Sequence, residues 1–441
     1  MLTIPFDKHV LDNGLTVILH QDHSSPLVVV DLWYHVGSKD EDPGRTGFAH
    51  LFEHLMFMGS KNAPYPSFDA IMETWGGHNN GTTSNDRTNY YEVGPKNLLE
   101  TFLWLEADRM ATLSEVITEE ELTKQRKVVQ NERRQSYENR PYGRAELVVP
   151  EVMYPKTHPY HWPTIGSHAD LEAASVEDVR GFFSRFYLPS NASLVIAGDF
   201  EPAEARALVD RYFGWQARRP PPPRVTAAPV TMEADHDITV TDRVQLPRLR
   251  MAWHSPALYA PGDADLDMAA HVLGGGKSSR LYKTLVFDRR IAQDVAAYQG
   301  SQLLGSLFQI SATAKPGTTL AELGAAVDEE LHRLASEGPT EQELERARNS
   351  HLADFFKGLD HLQTRADLLN HYQHLLGDPG SFGRDIARYE ATTVASIRKA
   401  LAAVTGGKRL VLKVMPDENA PASLADESSR GDESGESDAA S

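Results

Sequence analysis

A run of four prolines flanked by arginines, from Arg218 to Arg224, constrains the fold of this 441-residue chain more than any other stretch. Proline fixes φ and lacks an amide hydrogen, so this run can enter neither a helix nor a central strand. It predicts a stiff polyproline linker over residues 218–229. With 41% hydrophobic residues, a chain of this length can bury two cores. We therefore expect a first domain at residues 1–217 and a second at 230–416.

The two predicted domains share an order of local signals. Thr118-Glu-Glu-Glu begins a helix as a capping box, and Thr340-Glu-Gln-Glu repeats it. In the first half Ser175 then precedes a helix and an apolar strand, and Thr393 does the same in the second half at similar spacing. This matching order suggests an internal duplication. The alternative is two unrelated α+β domains that happen to share a capping box.

Local patterns also predict individual elements of the first half. Val10–Leu19 carries an Asn-Gly hairpin signal between two apolar stretches, and Leu27–His35 and Thr88–Val93 are rich in strand-forming residues. Leu98–Leu113 has helical periodicity. The capping box predicts a further helix from Thr118 to about Glu138.

Charge and composition exclude several classes of function. The net charge of −18 argues against nucleic acid as a partner, because binding phosphates needs a basic face. Eight acidic residues and one arginine follow Pro416, so we expect residues 417–441 to be an acidic disordered tail. The chain has no cysteine, so a metal site must use histidine and carboxylate ligands.

No apolar segment of the sequence is long enough to suggest membrane insertion or export. The N-terminus lacks a basic stretch followed by an apolar one, and no run of 18 apolar residues occurs. As written, the chain is expected to be cytoplasmic. A trimmed mature form with an added methionine would look the same, so a periplasmic location stays open.

The segment His50-Leu-Phe-Glu-His54 carries the chemistry. On a helix, His50, Glu53 and His54 leave on one face within one turn. Two imidazoles at this spacing can bind one metal ion, and the neighbouring carboxylate can take a proton from a metal-bound water. The pattern H-x-x-E-H is a zinc-peptidase signature. The alternative is an amphipathic helix with surface histidines, but its remaining faces are apolar and would bury the polar groups.

Together with other motifs, this segment resembles the pitrilysin or insulinase family of zinc metallopeptidases, most of all the short bacterial members related to the catalytic (beta) subunit of mitochondrial processing peptidase. The likeness covers nearly all of residues 5–415, and the motifs that carry it lie at residues 50–54, 76–91, 128–135, 158–166 and 274–281. It implies an α+β fold of two homologous domains, each a mostly antiparallel sheet flanked by helices.

The resemblance assigns roles to the polar residues near the motif. It places one Zn²⁺ per chain on His50, His54 and Glu132, and it makes Glu53 the general base that activates a zinc-bound water. Glu132 also stands out by itself, because it leaves its helix near an apolar face. These residues imply a zinc-dependent endopeptidase that hydrolyses peptides or unfolded segments.

A substrate-binding strand and one supporting residue follow from the same resemblance. Asn80, Gly81, Thr82 and Thr83 correspond to an edge strand on which a peptide lies as an added strand. A turn-forming asparagine before glycine is the alternative for Asn80. Many members have a second glutamate seven residues before the ligand, where this chain has Gln125, which can orient the ligand shell but cannot offset the charge of zinc.

The second half departs from the family pattern. It lacks an H-x-x-E-H, and the positions of an arginine and a tyrosine that contact substrate in relatives hold Val286 and Gln293. Arg280 and Tyr282 lie nearby at the wrong spacing and are interpreted as packing residues. We therefore expect a heterodimer with a paralogous non-catalytic subunit that supplies the pair; a homodimer is the less favoured arrangement. Two alternatives remain, namely a dedicated processing peptidase for one precursor peptide and a non-catalytic scaffold subunit of the same fold.

Overall fold

A computed structural model of the chain describes residues 3–420. Eleven strands lie within this described range, at Asp7–Val10 (β1), Thr16–Gln21 (β2), Leu27–Tyr34 (β3), His78–Thr83 (β4), Thr88–Pro95 (β5), Ala192–Gly198 (β6), His236–Asp242 (β7), Arg248–Ser255 (β8), Ala292–Gly300 (β9), Ser306–Ala314 (β10) and Arg409–Pro416 (β11).

The same range holds fourteen α-helices, at Phe48–Leu55 (α1), Ser67–Trp75 (α2), Leu99–Val116 (α3), Glu119–Arg133 (α4), Arg144–Met153 (α5), His168–Ala173 (α6), Val176–Phe186 (α7), Pro202–Phe213 (α8), Asp263–Gly274 (α9), Leu320–Glu337 (α10), Glu341–Gly358 (α11), Leu362–Leu376 (α12), Phe382–Glu390 (α13) and Val394–Thr405 (α14).

The strands form two sheets with matching topology. The first has the order β1-β2-β6-β3-β5-β4 and the second β7-β11-β8-β10-β9. When β1 is left out, each strand of the first sheet has a counterpart in the second: β2 corresponds to β7, β3 to β8, β4 to β9, β5 to β10 and β6 to β11. In each sheet the same pair is parallel, β2 with β6 and β7 with β11, and the other described pairs are antiparallel. The α+β fold of two homologous halves with mostly antiparallel sheets is confirmed.

Apolar strands of the first sheet explain why it is covered on both faces. β3 is buried from Val28 to Tyr34 and β6 along its whole length, a pattern typical of strands between two helical layers. Helix α3 packs on β3, and α12 packs on both β3 and β6. Helix α12 comes from the second half of the sequence.

Contacts divide the chain into two compact units, each discontinuous in sequence. The first contains Met1–Val129, Trp162–Thr226 and His351–Arg388; the second contains Gln130–His161, Ala227–Ser350 and Tyr389–Ser441.

Residues 218–229 form neither helix nor strand and separate the strands of one sheet from those of the other. The domain bounds at 1–217 and 230–416 stay a prediction. Of the acidic tail expected at 417–441, residues 421–441 lie outside the described residues.

The second unit has its own apolar core. One cluster joins helices α9, α10 and α14 to β8 and β10, and a second joins α5 to β11. Within this unit Asp242 fixes the turn before α5, because its Oδ2 accepts the Tyr142 amide at 2.8 Å. This core is complete without any residue of the H-x-x-E-H motif.

Candidate metal centre

Helix α1 presents the motif and is anchored by a buried carboxylate before it. Its apolar residues are almost wholly enclosed, with Leu51, Phe52 and Leu55 each 0% exposed, which fixes the helix orientation. The helix begins after Gly47, whose φ of 86° favours glycine. Glu41 accepts the Gly47 amide at 3.0 Å and the Ala49 amide at 2.8 Å, so its carboxylate caps the helix. Burial raises the pKa of Glu41 well above its ordinary value, although these amides lower it.

The two histidines and Glu132 come together at one point. The rings of His50 and His54 have centroids 4.9 Å apart and planes at 89° to each other. Nitrogen atoms of these two rings and a carboxylate oxygen of Glu132 all lie within 4.8 Å of one another, and all three residues are half-buried. Among residues 3–420 this is the one group of three or more histidine, cysteine or acidic residues placed to share a cation. Two imidazoles and one carboxylate fit a catalytic zinc, which takes three protein ligands and keeps a fourth position open.

Helix α4 delivers Glu132 from a defined start. The predicted capping box is confirmed, since Glu121 Oε2 accepts the Thr118 amide at 2.9 Å and Thr118 Oγ1 accepts the Glu121 amide at 3.3 Å. The α-helix ends at Arg133 and continues as a π-helical turn over Arg134–Glu138, so Glu132 occupies its last turn. Arg133, the last residue of α4, and the buried Glu138 at the end of the turn form an ion pair at 3.0 Å.

Glu53 faces the edge of the first sheet. Thr83 Oγ1 donates to Glu53 Oε2 at 2.6 Å, which holds the carboxylate against strand β4. A Cβ built on Gly81 would lie 3.0 Å from Glu53 Cγ and 3.1 Å from Tyr90 Cδ1. Glycine at this position therefore allows the close approach of β4 to α1.

Strand β4 is the outermost strand of its sheet. Among the described strands it pairs with β5 on one side, from His78 opposite Val93 to Thr83 opposite Thr88. Asn80 is exposed, and its Oδ1 accepts the Gly81 amide at 2.9 Å. The outer side of β4 offers main-chain groups to an added strand.

Four further residues singled out by the sequence have defined surroundings. Gln125 is buried, and its Nε2 lies 2.6 Å from Met58 Sδ. In the second unit Arg280 donates to Glu343 at 2.7 and 2.9 Å and to the Gly338 carbonyl at 3.0 Å, which agrees with a packing role. Val286 packs against the core of that unit, and Gln293 is exposed on β9.

Two contacts of the site could not be predicted from the sequence. The cap by Glu41 is not local, because this residue lies outside the helix and six positions before Gly47. The bond from Thr83 to Glu53 joins a strand and a helix that are 30 residues apart. The one available signal was the small polar character of the Thr82-Thr83 pair, which fits a strand that must bond to a neighbouring carboxylate.

Two family models match the sequence in consecutive segments. Residues 16–158 match the model described as Insulinase (Peptidase family M16), and residues 173–350 match the Peptidase M16 inactive domain. The chain belongs to peptidase family M16. Curated relatives of this M16 chain carry the name zinc protease. The zinc protease PqqE of Helicobacter pylori is 29% identical over 82% of each chain, and an uncharacterized zinc protease of Streptomyces coelicolor is 24% identical over 92% of this chain and 89% of the relative.

Solved structures of M16-like proteins share the fold. A protease from Helicobacter pylori superposes with a TM-score of 0.87 at 26% identity, covering 94% of this M16 chain and 100% of its own. An M16-like peptidase of Alicyclobacillus acidocaldarius has a TM-score of 0.80 at 21% identity, over 94% of this chain and 100% of its own. Within the described residues, no helix has both the length and the apolar character needed to cross a membrane.

Proposed function

We propose that this M16 chain is a zinc-dependent endopeptidase that cleaves extended peptides or unfolded segments. The observation that carries the proposal is the arrangement around α1. The side chains of His50, His54 and Glu132 converge, and the hydroxyl of Thr83 ties Glu53, which lies on the same helix as the two histidines, to an open edge strand. A metal, a base and a peptide-binding strand thus lie within reach of one scissile bond.

His50, His54 and Glu132 would hold the zinc ion. Their donor set and proximity support this assignment, as do the relatives named zinc proteases. When bound, zinc supplies Lewis-acid chemistry: it polarises a carbonyl and makes water easier to deprotonate near neutral pH. The position of Glu132 at the end of α4, directly before a π-helical turn, agrees with a functional role, because such turns are frequent at functional sites.

Glu53 acts as the general base and then as the general acid. Its carboxylate removes a proton from the attacking water as the oxygen–carbon bond to the peptide carbonyl forms. It then delivers that proton to the amine nitrogen as the carbon–nitrogen bond breaks. Thr83 keeps the carboxylate in place by donating to Oε2 at 2.6 Å. The proton therefore moves between groups held in fixed positions.

Strand β4 binds the substrate through main-chain hydrogen bonds. A peptide added to its outer side must be extended, so folded proteins are excluded and unfolded segments are preferred. Asn80, exposed on this strand, is in a position to bond the peptide backbone. Glycine at position 81 keeps the strand, and with it the peptide, close to Glu53.

The test of the proposal is Glu53→Gln, measured by zinc content and by hydrolysis of an unfolded peptide. We expect zinc content to stay the same and turnover to fall at least about 100-fold, since the amide cannot accept the proton. Glu115→Gln is the matched control, because Glu115 is exposed and pairs with Lys61 on the surface at 3.2 Å. Activity retained in Glu53→Gln would refute the assignment of the base.

A second chain completes the site in this proposal. Val286 and Gln293 cannot supply the arginine and tyrosine of relatives, and Arg280 is engaged with Glu343. We expect a paralogous subunit to provide that pair, with peptidase activity rising when the two chains are mixed. Full activity from the purified chain, with no self-association by light scattering, would contradict the heterodimer.

A further inference from the structure

A buried polar network runs through the first unit from edge strand β4 to helix α12. Thr82 Oγ1 donates to Asn89 Oδ1 at 2.5 Å, and Asn89 Nδ2 donates to Asp31 Oδ1 at 3.1 Å. From the other side, Asn370 Nδ2 donates to Asp31 Oδ2 at 3.0 Å and to the Asp31 carbonyl at 2.8 Å. Four side chains from β4, β5, β3 and α12 thus form one hydrogen-bonded chain.

Asp31 sets the orientation of the amides in this network. It lies in the central strand β3 and is 1% exposed. An ionised carboxylate only accepts hydrogen bonds, so both neighbouring asparagines turn their NH₂ groups toward it. The carbonyl oxygen of Asn89 therefore faces β4, where it meets the Thr82 hydroxyl.

Arg87 requires the same orientation of Asn89. Its Nη1 donates to Asn89 Oδ1 at 3.2 Å and to the Thr82 carbonyl at 2.9 Å, and it also bonds Thr82 Oγ1. The guanidinium lies 5.0 Å from the ring centroid of Trp33. A flipped Asn89 would direct an NH₂ group at these donors and loosen Thr82 from the network.

We propose that Asp31 is a positioning residue for the peptide-binding strand, acting through Asn89 to fix Thr82 and the main chain of β4 on which substrate lies. This inference rests on the proposed function of β4. The strand lies next to the reaction, since the neighbouring Thr83 bonds Glu53. Asp31 itself touches neither substrate nor the base.

The charged groups around Asp31 make its action depend on pH. Asp367 of α12 and Arg87, directly before β5, face it, and Glu92 of β5 acts on it electrostatically from the opposite face of the sheet. Burial and then Asp367 raise the pKa of Asp31 to about 7, against the lowering effects of Asn370, Asn89 and Arg87. Burial raises the pKa of Asp367 as well. Because only the ionised carboxylate accepts from both amides, we expect peptide binding to strengthen as pH rises through about 7.

The test is Asp31→Asn, made in the Glu53→Gln background so that a peptide is bound without being cleaved. The affinity for a fluorescein-labelled unfolded peptide is measured by anisotropy from pH 6 to 8. The amide introduced at position 31 would place one NH₂ group against that of Asn89 or Asn370, so we expect the Kd to rise about tenfold at pH 8 and to lose its dependence on pH. Circular dichroism and zinc content should match the parent.

Asp385→Asn is the matched control in the same unit. Its carboxylate accepts hydrogen bonds from the Tyr372 hydroxyl at 2.9 Å and from Arg388 Nη2 at 2.6 Å, and neither partner belongs to β4. We expect this variant to bind the peptide as the parent does. An equal loss of affinity in both variants would mean a general loss of stability and would overturn the inference.

Thr82→Val is a second test of the inference, because it removes one half-buried hydroxyl at the edge of the sheet. We expect it to weaken peptide binding about fivefold and Thr82→Ser to restore it. In a double-mutant cycle, Asp31→Asn should raise the Kd by less than about threefold in the Thr82→Val background, since the hydrogen bond that connects Asn89 to Thr82 is already absent. A full tenfold addition would show that Asp31 acts by another path and would overturn the inference.

Hydrolysis by the unmodified chain separates this inference from the proposed function. Absence of hydrolysis by the chain both alone and mixed with a paralogous subunit, combined with a tenfold loss of peptide affinity in Asp31→Asn, would refute the peptidase and support the positioning role. Peptide affinity unchanged in Asp31→Asn would overturn the positioning role even if the chain is an active peptidase. No binding of the peptide by the parent would also overturn it.

Discussion

The two sheets have the same strand order but differ in what their helices and edges carry. Helices α4 and α11 both begin with a capping box, and in α11 Glu343 Oε2 accepts the Thr340 amide at 2.8 Å. At the place corresponding to Glu132, α11 has Asp354, which is largely exposed and lies 3.8 Å from Lys357. The same scaffold therefore supports a candidate metal ligand in one half and a surface ion pair in the other.

This difference separates the determinants of the fold from those of the site. Both halves share the strand order, buried apolar strands and the capping boxes of α4 and α11. The candidate site depends on a few polar side chains that one half has and the other lacks. Substitutions at corresponding positions of the two halves should therefore have unequal effects on activity, although they meet similar local structure.

The largest contrast is expected between Glu132→Gln and Asp354→Asn. Removing a ligand carboxylate should lower zinc affinity and reduce peptidase activity at least about 100-fold, because neutral amides are poor zinc ligands. The exposed Asp354 pairs weakly with Lys357, so its loss should change neither quantity. Zinc content by atomic absorption and peptide hydrolysis measure the effect, and equal losses in the two variants would contradict the assignment of one site per chain.

A smaller contrast is expected between two glycines on the edge strands. Gly81→Ala would bring a Cβ to 3.0 Å from Glu53 Cγ, whereas a Cβ on Gly300 of β9 would meet its nearest atom, the Leu307 carbonyl oxygen, at 3.4 Å. We expect kcat/KM to fall about tenfold in Gly81→Ala, since a misplaced catalytic group is costly, and to stay the same in Gly300→Ala. If both variants keep full activity, close approach of β4 to α1 is not needed for catalysis.

The smallest expected contrast is in the pH dependence of stability, and it depends on buried histidines between α12 and the first sheet. Burial lowers the pKa of His371 to about 4 and that of His35 to about 3. The unfolded chain binds these protons near the ordinary value of 6.5, so their stabilising contribution is complete above 6.5 and is lost as pH falls toward 4.

His371→Gln should therefore reduce the loss of stability between pH 7 and pH 5 by about 1–2 kcal/mol. The apparent unfolding temperature of the variant and of the unmodified chain is measured at both pH values, and the change between pH 7 and pH 5 is compared. Buried carboxylates are the same in both proteins, so their contribution to this comparison cancels. His236→Gln is the control, because His236 is exposed at the start of β7 in the second sheet. A difference identical to that of the unmodified chain would contradict the shift of His371.

Sequence patterns predicted the local elements of the fold well. β1 and β2 pair around Gly14, whose φ is 98°, as the Asn-Gly signal predicts, and β3 spans Leu27–Tyr34. The helix expected at Leu98–Leu113 forms at Leu99–Val116. The internal duplication, first suggested by two capping boxes, is confirmed by the common strand order. These features depend on neighbours in sequence or on a periodic apolar pattern.

Contacts between distant segments could not be predicted in the same way. Asn370 meets Asp31 across 339 positions, and the composition of α12 gives no sign of which sheet it covers. The proximity of His50 and His54 was expected from their helical spacing and that of Glu132 from the family resemblance, but the cap by Glu41 depends on how a loop folds back. Such contacts are set by the tertiary fold and have no local periodicity.

The membership of α12 in the first unit has a consequence for synthesis of the protein. Every strand of the first sheet has been made once Gly198 is reached, yet the helix that packs on β3 and β6 begins at Leu362. On the ribosome, this face of the sheet must stay uncovered while more than 150 further residues emerge. A fragment that stops at the proline run would expose the same apolar face, and holdase chaperones should bind such a truncated chain more tightly than the full one.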